Sequence, residues 1–154
     1  MARKITIWRI VHQKWRAHAY TGEGAKRYGG RFNSPGRPVV YASWCLSLAL
    51  LEQLVQRGDR RRFQHYVCVP ATLDERLVEE AGNLPEGWDG RPVRRVSQRW
   101  GDAWLAEGRR LALRVPSVVV PQESNYLINP LHQDFPKVEI GEPFPVPFDK
   151  RLMP

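Results

Sequence analysis

The sequence predicts a mixed α/β (α+β) fold in a single domain over residues 1–154. Short β-branched and aromatic runs alternate with segments of helical periodicity, which is typical of this class. A chain of 154 residues is long enough for one domain with a real hydrophobic core. Apolar residues make up 42% and charged residues 26%, an ordinary balance for a globular protein.

The first 43 residues are predicted to form a strand, a loop and a hairpin. The strand covers residues 5–11, where β-branched side chains predominate. Glycines make residues 22–30 a loop with at most one helical turn. The hairpin covers residues 31–43 and turns at the Ser-Pro-Gly sequence of residues 34–36.

A helix and a buried strand follow the hairpin. Ser43 or Ser47 is expected to cap the helix, which runs to about Arg57 and ends at Gly58. The strand covers residues 65–73, because these are rich in β-branched and aromatic side chains.

The second half of the chain is predicted to contain a loop, a helix and short strands. Residues 84–92 hold two prolines and two glycines and are predicted to be the loop. Residues 93–107 have helical periodicity. The apolar side of this helix is expected to consist of Val96, Trp100, Ala103 and Trp104. Strands are predicted at 111–115, 117–120 and 137–140, with irregular structure at 125–132.

The positive charge is concentrated in the first three quarters of the chain. Residues 1–114 carry 21 Lys and Arg against 11 Asp and Glu, whereas residues 115–154 carry 3 against 5. This positively charged part of the chain indicates an anionic partner, which could be nucleic acid, a phosphorylated small molecule or an acidic protein. Two groups of arginines are interpreted as solvated faces: Arg57 with Arg60, Arg61 and Arg62, and Arg91 with Arg94, Arg95 and Arg99.

Several classes of protein lack support in the sequence. Residues 1–11 have no signal-peptide core and no stretch approaches the ~20 apolar residues of a membrane span, so we expect a cytoplasmic protein. Cys45 and Cys68 belong to no CxxC pair and are expected to be reduced thiols. The sequence has no P-loop, GxGxxG, GxSxG or HExxH motif, and therefore we expect no metal site and no hydrolase triad.

The stretch Tyr28-Gly29-Gly30-Arg31-Phe32-Asn33 has the composition of a phosphate-binding loop. Two glycines let the backbone pass close to a bound group, and the Arg31 guanidinium matches a phosphate with two parallel hydrogen bonds. The rings of Tyr28 and Phe32 offer flat faces for a base. A glycine hairpin with a surface arginine would show the same residues.

Glu52 is the only charged residue between Cys45 and Gln56. On a helical wheel it lies between two apolar strips, in a sector that also holds Ala49. This position is consistent with a solvated face. The helical wheel favours this interpretation, and it also allows the wall of a cleft, where the small Ala49 leaves room for a ligand.

Ser117 follows Val115-Pro116 and opens an apolar segment. A serine in this position either bonds the local backbone or has a function.

Taken in order, these segments resemble the RES domain family, which is named for its Arg, Glu and Ser. The match spans almost the whole chain, and Phe32 stands where the family more often has Trp. The matching segments are Trp8-Arg9, Tyr28-Gly29-Gly30-Arg31-Phe32-Asn33, Gly36, Val40-Tyr41-Ala42-Ser43, Ala49-Leu50-Leu51-Glu52, Pro116-Ser117 and Asn129-Pro130-Leu131-His132.

The resemblance implies a RES-type domain with a fold like that of ADP-ribosyltransferases and with NAD⁺ as substrate rather than cofactor. It also implies the toxin half of a toxin–antitoxin pair. Its antitoxin would carry an Xre-like helix-turn-helix part and block the active site with its tail. Family members degrade NAD⁺ by hydrolysis or phosphorolysis, and some ADP-ribosylate a protein. We expect NAD⁺ degradation; protein ADP-ribosylation, nucleic-acid binding and a non-catalytic interaction module are the alternatives.

The resemblance further implies that Arg31, Glu52 and Ser117 are the catalytic residues. Ser124 is a competing candidate for the family serine, and we prefer Ser117 because it follows Val115-Pro116 and precedes the apolar segment. Glu52 would stabilise the positive charge that develops on the ribose as the nicotinamide–ribose bond breaks. Arg31 would hold the pyrophosphate, and Ser117 would orient either the ribose or Glu52. The predicted substrate-binding residues are Arg9 as a second cation, Tyr28 or Tyr41 as a ring on the nicotinamide, and Asn33.

Overall fold

Eight strands and three α-helices form the regular structure in residues 2–56 and 60–152, the part of the chain that the computed structural model describes. The strands are β1 (Lys4–His12), β2 (Val40–Ser43), β3 (Tyr66–Asp74), β4 (Val78–Glu80), β5 (Ala112–Pro116), β6 (Ser124–Ile128), β7 (Glu139–Ile140) and β8 (Phe144–Pro145). The α-helices are α1 (Glu23–Tyr28), α2 (Leu46–Gln56) and α3 (Arg95–Glu107). Short 3₁₀ helices lie at Gln13–His18, Arg60–His65, Glu75–Leu77, Phe135–Lys137 and Lys150–Leu152.

All eight strands belong to one sheet, in the order β4-β5-β6-β2-β1-β3-β7, with β8 also paired to β3. The β4–β5 pair is parallel, and the other pairs in the described residues are antiparallel. Helices packed on a mixed sheet confirm the predicted α/β class.

The sheet has two halves that meet at a narrow joint. β1 and β3 are paired along their whole length, whereas β1 and β2 are joined by the single pair Trp8–Ser43. Beside that pair, the Nη1 of Arg9 donates a hydrogen bond to the Tyr41 carbonyl at 2.6 Å. The two halves therefore diverge next to Ser43.

The two faces of the sheet are covered differently. Side chains alternate along each strand, so Ile7 and Ile10 of β1 point to opposite faces. Ile7 lies in an apolar cluster on one face, while Ile10 packs with Ala49 of α2 on the other. On that second face Leu127 packs with Trp104 of α3. The helices α2 and α3 thus flank the joint on one side of the sheet.

Gly101 lets α3 pack directly against the backbone of the Arg31 loop. A Cβ atom at position 101 would lie 1.8 Å from the Phe32 carbonyl oxygen. Gly101→Ala is therefore expected to lower the free energy of unfolding by about 3 kcal/mol, the upper part of the range for overpacked sites, because backbone atoms cannot move aside as a flexible side chain can. The midpoint of urea denaturation measures this effect.

Gly24→Ala is the matched control for that substitution. Gly24 lies in α1, and a Cβ there would meet no atom within 4 Å. Alanine at position 24 is expected to be neutral or to stabilise by about 0.5–1 kcal/mol, because it lowers the entropy lost on folding. Equal midpoints for the two variants would contradict the close packing at Gly101.

The predicted hairpin over residues 31–43 is wrong. Residues 31–33 make only an isolated bridge between Gly30 and Asn33, and β2 pairs instead with β1 and with the distant β6. Residues 23–28, predicted as at most one helical turn, form the six-residue helix α1. Neither predicted serine caps α2, because the Leu48 amide bonds the Cys45 Sγ at 3.4 Å. The predicted end at Gly58 lies outside the described residues, as does Arg57.

The region around Ser117 also differs from its prediction. Residues 117–120 form a bend rather than a strand, since the Ser117 Oγ accepts hydrogen bonds from the amides of Val119 and Val120, both at 3.0 Å. The segment predicted as irregular contains β6, which is a central strand of the sheet. The predicted strands at 5–11 and 65–73 correspond to β1 and β3.

The predicted helix at 93–107 is α3, but its buried face is rotated from the expected one. Its buried residues are Ser97, Gly101, Trp104 and Leu105. Val96 is exposed, and Ala103 is exposed as well. The close contact at Gly101 determines this orientation.

None of the helices in the described part of the chain has the length and apolar composition needed to span a membrane.

Candidate active site

The Glu52 carboxylate lies beside the joint of the sheet, where α2 faces the ends of β5 and β6. Its Oε1 accepts two hydrogen bonds, from the Ser117 hydroxyl at 2.7 Å and from the Asn125 side-chain amide at 2.7 Å. Its Oε2 has no hydrogen-bond partner among the described residues. These two bonds hold the half-buried Glu52 side chain against the end of β5 and the start of β6, and they leave one carboxylate oxygen unbonded.

Two fixed groups orient the donors to Glu52. The Ser117 Oγ is fully buried and accepts two backbone amides, so its proton is directed to the carboxylate. The Ser43 hydroxyl donates to the Asn125 Oδ1 at 2.7 Å, which leaves the Asn125 NH₂ group facing Glu52. Hydrogen bonds thus link Ser43, Asn125, Glu52 and Ser117 in one chain, and such networks hold a side chain in one orientation.

Backbone carbonyls hold the Arg31 guanidinium through one of its nitrogen atoms. The Nη1 donates to the carbonyls of Trp88 and Gly90, at 2.9 and 3.0 Å. The Nε and Nη2 atoms bond no described residue, and together they form the edge that binds an oxyanion with two parallel hydrogen bonds. Arg31 is therefore a pre-positioned anion-binding group.

Arg31 and Glu52 act on each other electrostatically without forming an ion pair. Burial lowers the pKa of Arg31, the nearby Arg91 charge lowers it further, and the Glu52 carboxylate raises it. Neither group neutralises the other by direct contact, so both keep their charge available for a ligand.

Arg9 does not occupy the predicted position of a second phosphate cation. It follows Trp8 on β1, so strand alternation directs it toward the opposite face of the sheet from α2. Its guanidinium donates a hydrogen bond to the Tyr41 carbonyl beside the joint. Burial lowers the pKa of Arg9. In this structure its Nη1 joins β1 to β2, while its buried Nε has no hydrogen-bond partner among the described residues.

Tyr41 and Asn33 hold the Arg31 loop in place through hydrogen bonds. The Tyr41 hydroxyl donates to the Asn33 Oδ1 at 2.6 Å and accepts the Phe32 amide at 3.0 Å. Asn33 is fully buried, and its NH₂ group bonds the carbonyls of Ala25 and Arg37. Asn33 is therefore a positioning residue rather than the ligand contact that the sequence predicted. Burial raises the pKa of Tyr41.

The two rings beside the glycines have different environments. Tyr28 is 78% exposed, which leaves its ring free to cover a ligand. Phe32 was predicted to offer a flat face to a base, but it is buried between Trp88 and Trp100, with ring centroids at 6.1 and 5.6 Å. Its ring instead attaches the 84–92 loop to the Arg31 loop.

Sequence reasoning missed Asn125 and the role of Ser43. Asn125 lies in a segment predicted to be irregular, and Ser43 is predicted only as a helix cap and as part of the segment that resembles the family. Position 125 could have been found once β6 was recognised, because a polar residue on the cleft-facing side of a strand next to Leu127 and Ile128 is unusual. Between the two serine candidates, Ser117 contacts Glu52, whereas no hydrogen bond joins the Ser124 side chain to Glu52 in the described residues.

Ser117→Ala is expected to affect both stability and turnover. It removes one hydrogen bond to the Glu52 carboxylate and leaves two amides without their acceptor, which costs about 1–3 kcal/mol of folding free energy. Turnover should fall less than on loss of the Glu52 charge, because Asn125 still bonds the carboxylate. Thermal unfolding and initial rates measure the two effects. Ser124→Ala is the matched control, and similar values for both serine variants would contradict the network.

The site combines an oxyanion-binding guanidinium with an oriented, partly unpaired carboxylate. Such a carboxylate stabilises a positive charge on a sugar ring as a glycosidic bond breaks. Among the described residues, no group of three or more His, Cys, Asp or Glu side chains is arranged to hold a metal ion. The arrangement suits a phosphorylated ligand that contains a ribosyl bond.

Comparison with known proteins gives a family match over most of the chain. Residues 6–149 match the family model of the RES domain. A protein named Prs ADP-ribosylating toxin, from Sphingobium sp., is 40% identical over 136 residues, which are 84% of this chain and 84% of that protein. A protein named Toxin Res, from Photorhabdus laumondii, is 33% identical over 133 residues, 85% of each chain.

A solved structure has a similar fold. It is the crystal structure of the M. tuberculosis MbcT–MbcA toxin–antitoxin complex, and the matched chain has 16% sequence identity and a TM-score of 0.70. The match covers 94% of this chain and 85% of that chain. At this identity the likeness establishes the fold.

Proposed function

This chain belongs to the RES domain family, and from that premise we propose that it is a toxin that consumes NAD⁺ by breaking the nicotinamide–ribose bond. The observation that carries the proposal is the Glu52 carboxylate, whose Oε1 is fixed by Ser117 and Asn125 while Oε2 remains open. An adjacent guanidinium edge on Arg31 suits the pyrophosphate of the dinucleotide.

In the proposed reaction the bond between the ribose C1′ and the nicotinamide nitrogen breaks, and its electron pair leaves with neutral nicotinamide. Positive charge develops on the ribose, and the Glu52 carboxylate stabilises it. Water or phosphate then forms the new bond to C1′, giving ADP-ribose or its 1″-phosphate and one released proton. Ser117 and Asn125 keep Glu52 in place throughout.

The experiment that identifies the acceptor is chromatography of the reaction products with and without phosphate. We expect free nicotinamide in both conditions if water is the acceptor. If phosphate is the acceptor, nicotinamide release should depend on phosphate, and a phosphorylated ADP-ribose should appear. NAD⁺ that stays intact in both conditions, and with added proteins as acceptors, would refute the proposed function.

Protein ADP-ribosylation is the second candidate function, and one comparison favours it. The relative from Sphingobium sp. is named an ADP-ribosylating toxin and is 40% identical over 136 residues. The same Arg31–Glu52 pair would serve this reaction, with a nucleophilic side chain replacing water. Labelled NAD⁺ and a cell lysate distinguish the two, because transfer attaches label to a protein band and degradation does not.

We further propose that an antitoxin protein covers this site and that the toxin acts in the cytoplasm. The support is the similar fold of a chain in a toxin–antitoxin complex, together with relatives named as toxins. An Xre-like helix-turn-helix protein with an acidic tail is the partner we expect, because carboxylates and phosphates bind to the same guanidinium edge. Expression without this partner should stop growth and deplete NAD⁺ before RNA or protein is lost.

A further inference from the structure

We propose that Arg91 is a second phosphate-binding residue of the cleft and that, with Arg31, it selects ligands that carry a diphosphate. The inference rests on the proposed function, since the diphosphate is the central group of NAD⁺. It gives a binding role to an arginine that the sequence assigned to a solvated face, and it replaces Arg9 as the second cation.

The backbone brings Arg91 to the Arg31 guanidinium. The Arg31 Nη1 bonds the carbonyl of Gly90, the residue directly before Arg91, at 3.0 Å. The Arg91 Nη2 in turn donates to the Val118 carbonyl at 3.4 Å, a long and therefore weak hydrogen bond. Val118 lies in the bend that carries Ser117. Arg91 thus spans from the Arg31 side of the cleft to the Ser117 side.

The two cations of this place have no carboxylate in direct contact. Among the described residues, no carboxylate oxygen lies within the 4.0 Å of an ion pair from the Arg31 or the Arg91 guanidinium. Burial lowers the pKa of Arg31 most, the Arg91 charge lowers it further, and the more weakly acting carboxylates of Glu52 and Asp89 raise it. Two neighbouring cations repel each other, and an anion between them removes this cost.

The chemistry of the two groups determines which anion fits best. Arg31 offers its Nε and Nη2 edge, and Arg91 is exposed and held by one weak bond, so it can turn toward a second phosphate. A diphosphate carries charge on both phosphate groups and can bond each guanidinium separately. A nucleoside without phosphate gains nothing from either cation.

Calorimetric titration of ADP and of adenosine into the wild-type protein and an Arg91→Ala variant tests the proposal. We expect Arg91→Ala to bind ADP about 10-fold more weakly, the lower end for a charge-assisted contact, and to bind adenosine as the wild type does. Arg99→Ala is the matched control, because it removes the same charge from the exposed face of α3. It should bind ADP within about twofold of the wild type, as expected for a distant, screened charge.

Two outcomes would overturn the inference. The first is an Arg91→Ala variant that binds ADP as tightly as the Arg99→Ala variant does. The second is an Arg91→Ala variant whose affinities for ADP and for adenosine fall by the same factor. Far-ultraviolet circular dichroism and melting temperature show that the variants are folded. Nicotinamide release by the wild type tests the proposed function separately. ADP binding that depends on Arg91 without nicotinamide release would reject the proposed reaction and keep this inference. Nicotinamide release with ADP binding that does not depend on Arg91 would keep the proposed reaction and reject this inference.

Discussion

Glu52→Gln is expected to reduce nicotinamide release by about 10²–10³-fold while the protein stays folded, the effect typical of removing one electrostatic group from a transition state. Glutamine is nearly the same size as glutamate, and its carbonyl oxygen can still accept the hydrogen bonds from Ser117 and Asn125. What it lacks is the negative charge on the oxygen that faces the ligand. Binding of NAD⁺ should therefore be nearly unchanged.

Glu107→Gln is the control for this substitution. Glu107 lies at the end of α3, where it pairs with Arg109 on the surface at 2.7 Å. Loss of a surface charge usually changes stability by no more than about 0.5 kcal/mol, and Glu107 is outside the cleft. Initial rates of nicotinamide release, with melting temperature as the folding control, compare the two variants. Equal rates would show that Glu52 has no catalytic role.

Arg31→Ala is expected to weaken NAD⁺ binding more than it harms folding. A charge-assisted contact contributes about 1.5–3 kcal/mol, which corresponds to roughly a 10- to 150-fold change in Kd. Folding should suffer less, because the carbonyls of Trp88 and Gly90 lie in a partly exposed loop where water can replace the guanidinium.

Arg31→Lys separates charge from geometry. A lysine ammonium keeps the charge but cannot bond two carbonyls on one side and present a two-donor edge on the other. We therefore expect lysine to restore little of the lost affinity. Equilibrium titration with NAD⁺ measures these values, and Arg99→Ala controls for the change in net charge. An alanine variant that binds NAD⁺ within about twofold of the wild type would remove Arg31 from the phosphate site.

The sequence was a good guide where a structural element depends on local pattern. The strands β1 and β3 are dense in β-branched residues, and α2 has helical periodicity, so their positions follow from propensity alone. Glu52 could be placed on a helix between two apolar strips for the same reason. Whether it faced solvent or a cleft depended on Asn125, 73 residues away.

The errors occurred where distant partners or side-chain bonds outweigh propensity. Residues 117–120 are mostly valine, yet they bend because the Ser117 hydroxyl binds two of their amides. The strand β6 has polar residues at its start and was missed, because the burial that stabilises it comes from β2 and β5 on either side. Arg91 was not recognised because only the loop conformation places it beside Arg31.

The most direct test of the account is nicotinamide release from NAD⁺ by the purified wild-type protein beside its Glu52→Gln variant. We expect the wild type to release nicotinamide with water, with phosphate or with a protein as the acceptor. We expect the folded Glu52→Gln variant to release about 10²–10³-fold less under the same condition. Wild-type protein that leaves NAD⁺ intact under all three conditions, or a variant as active as the wild type, would contradict it.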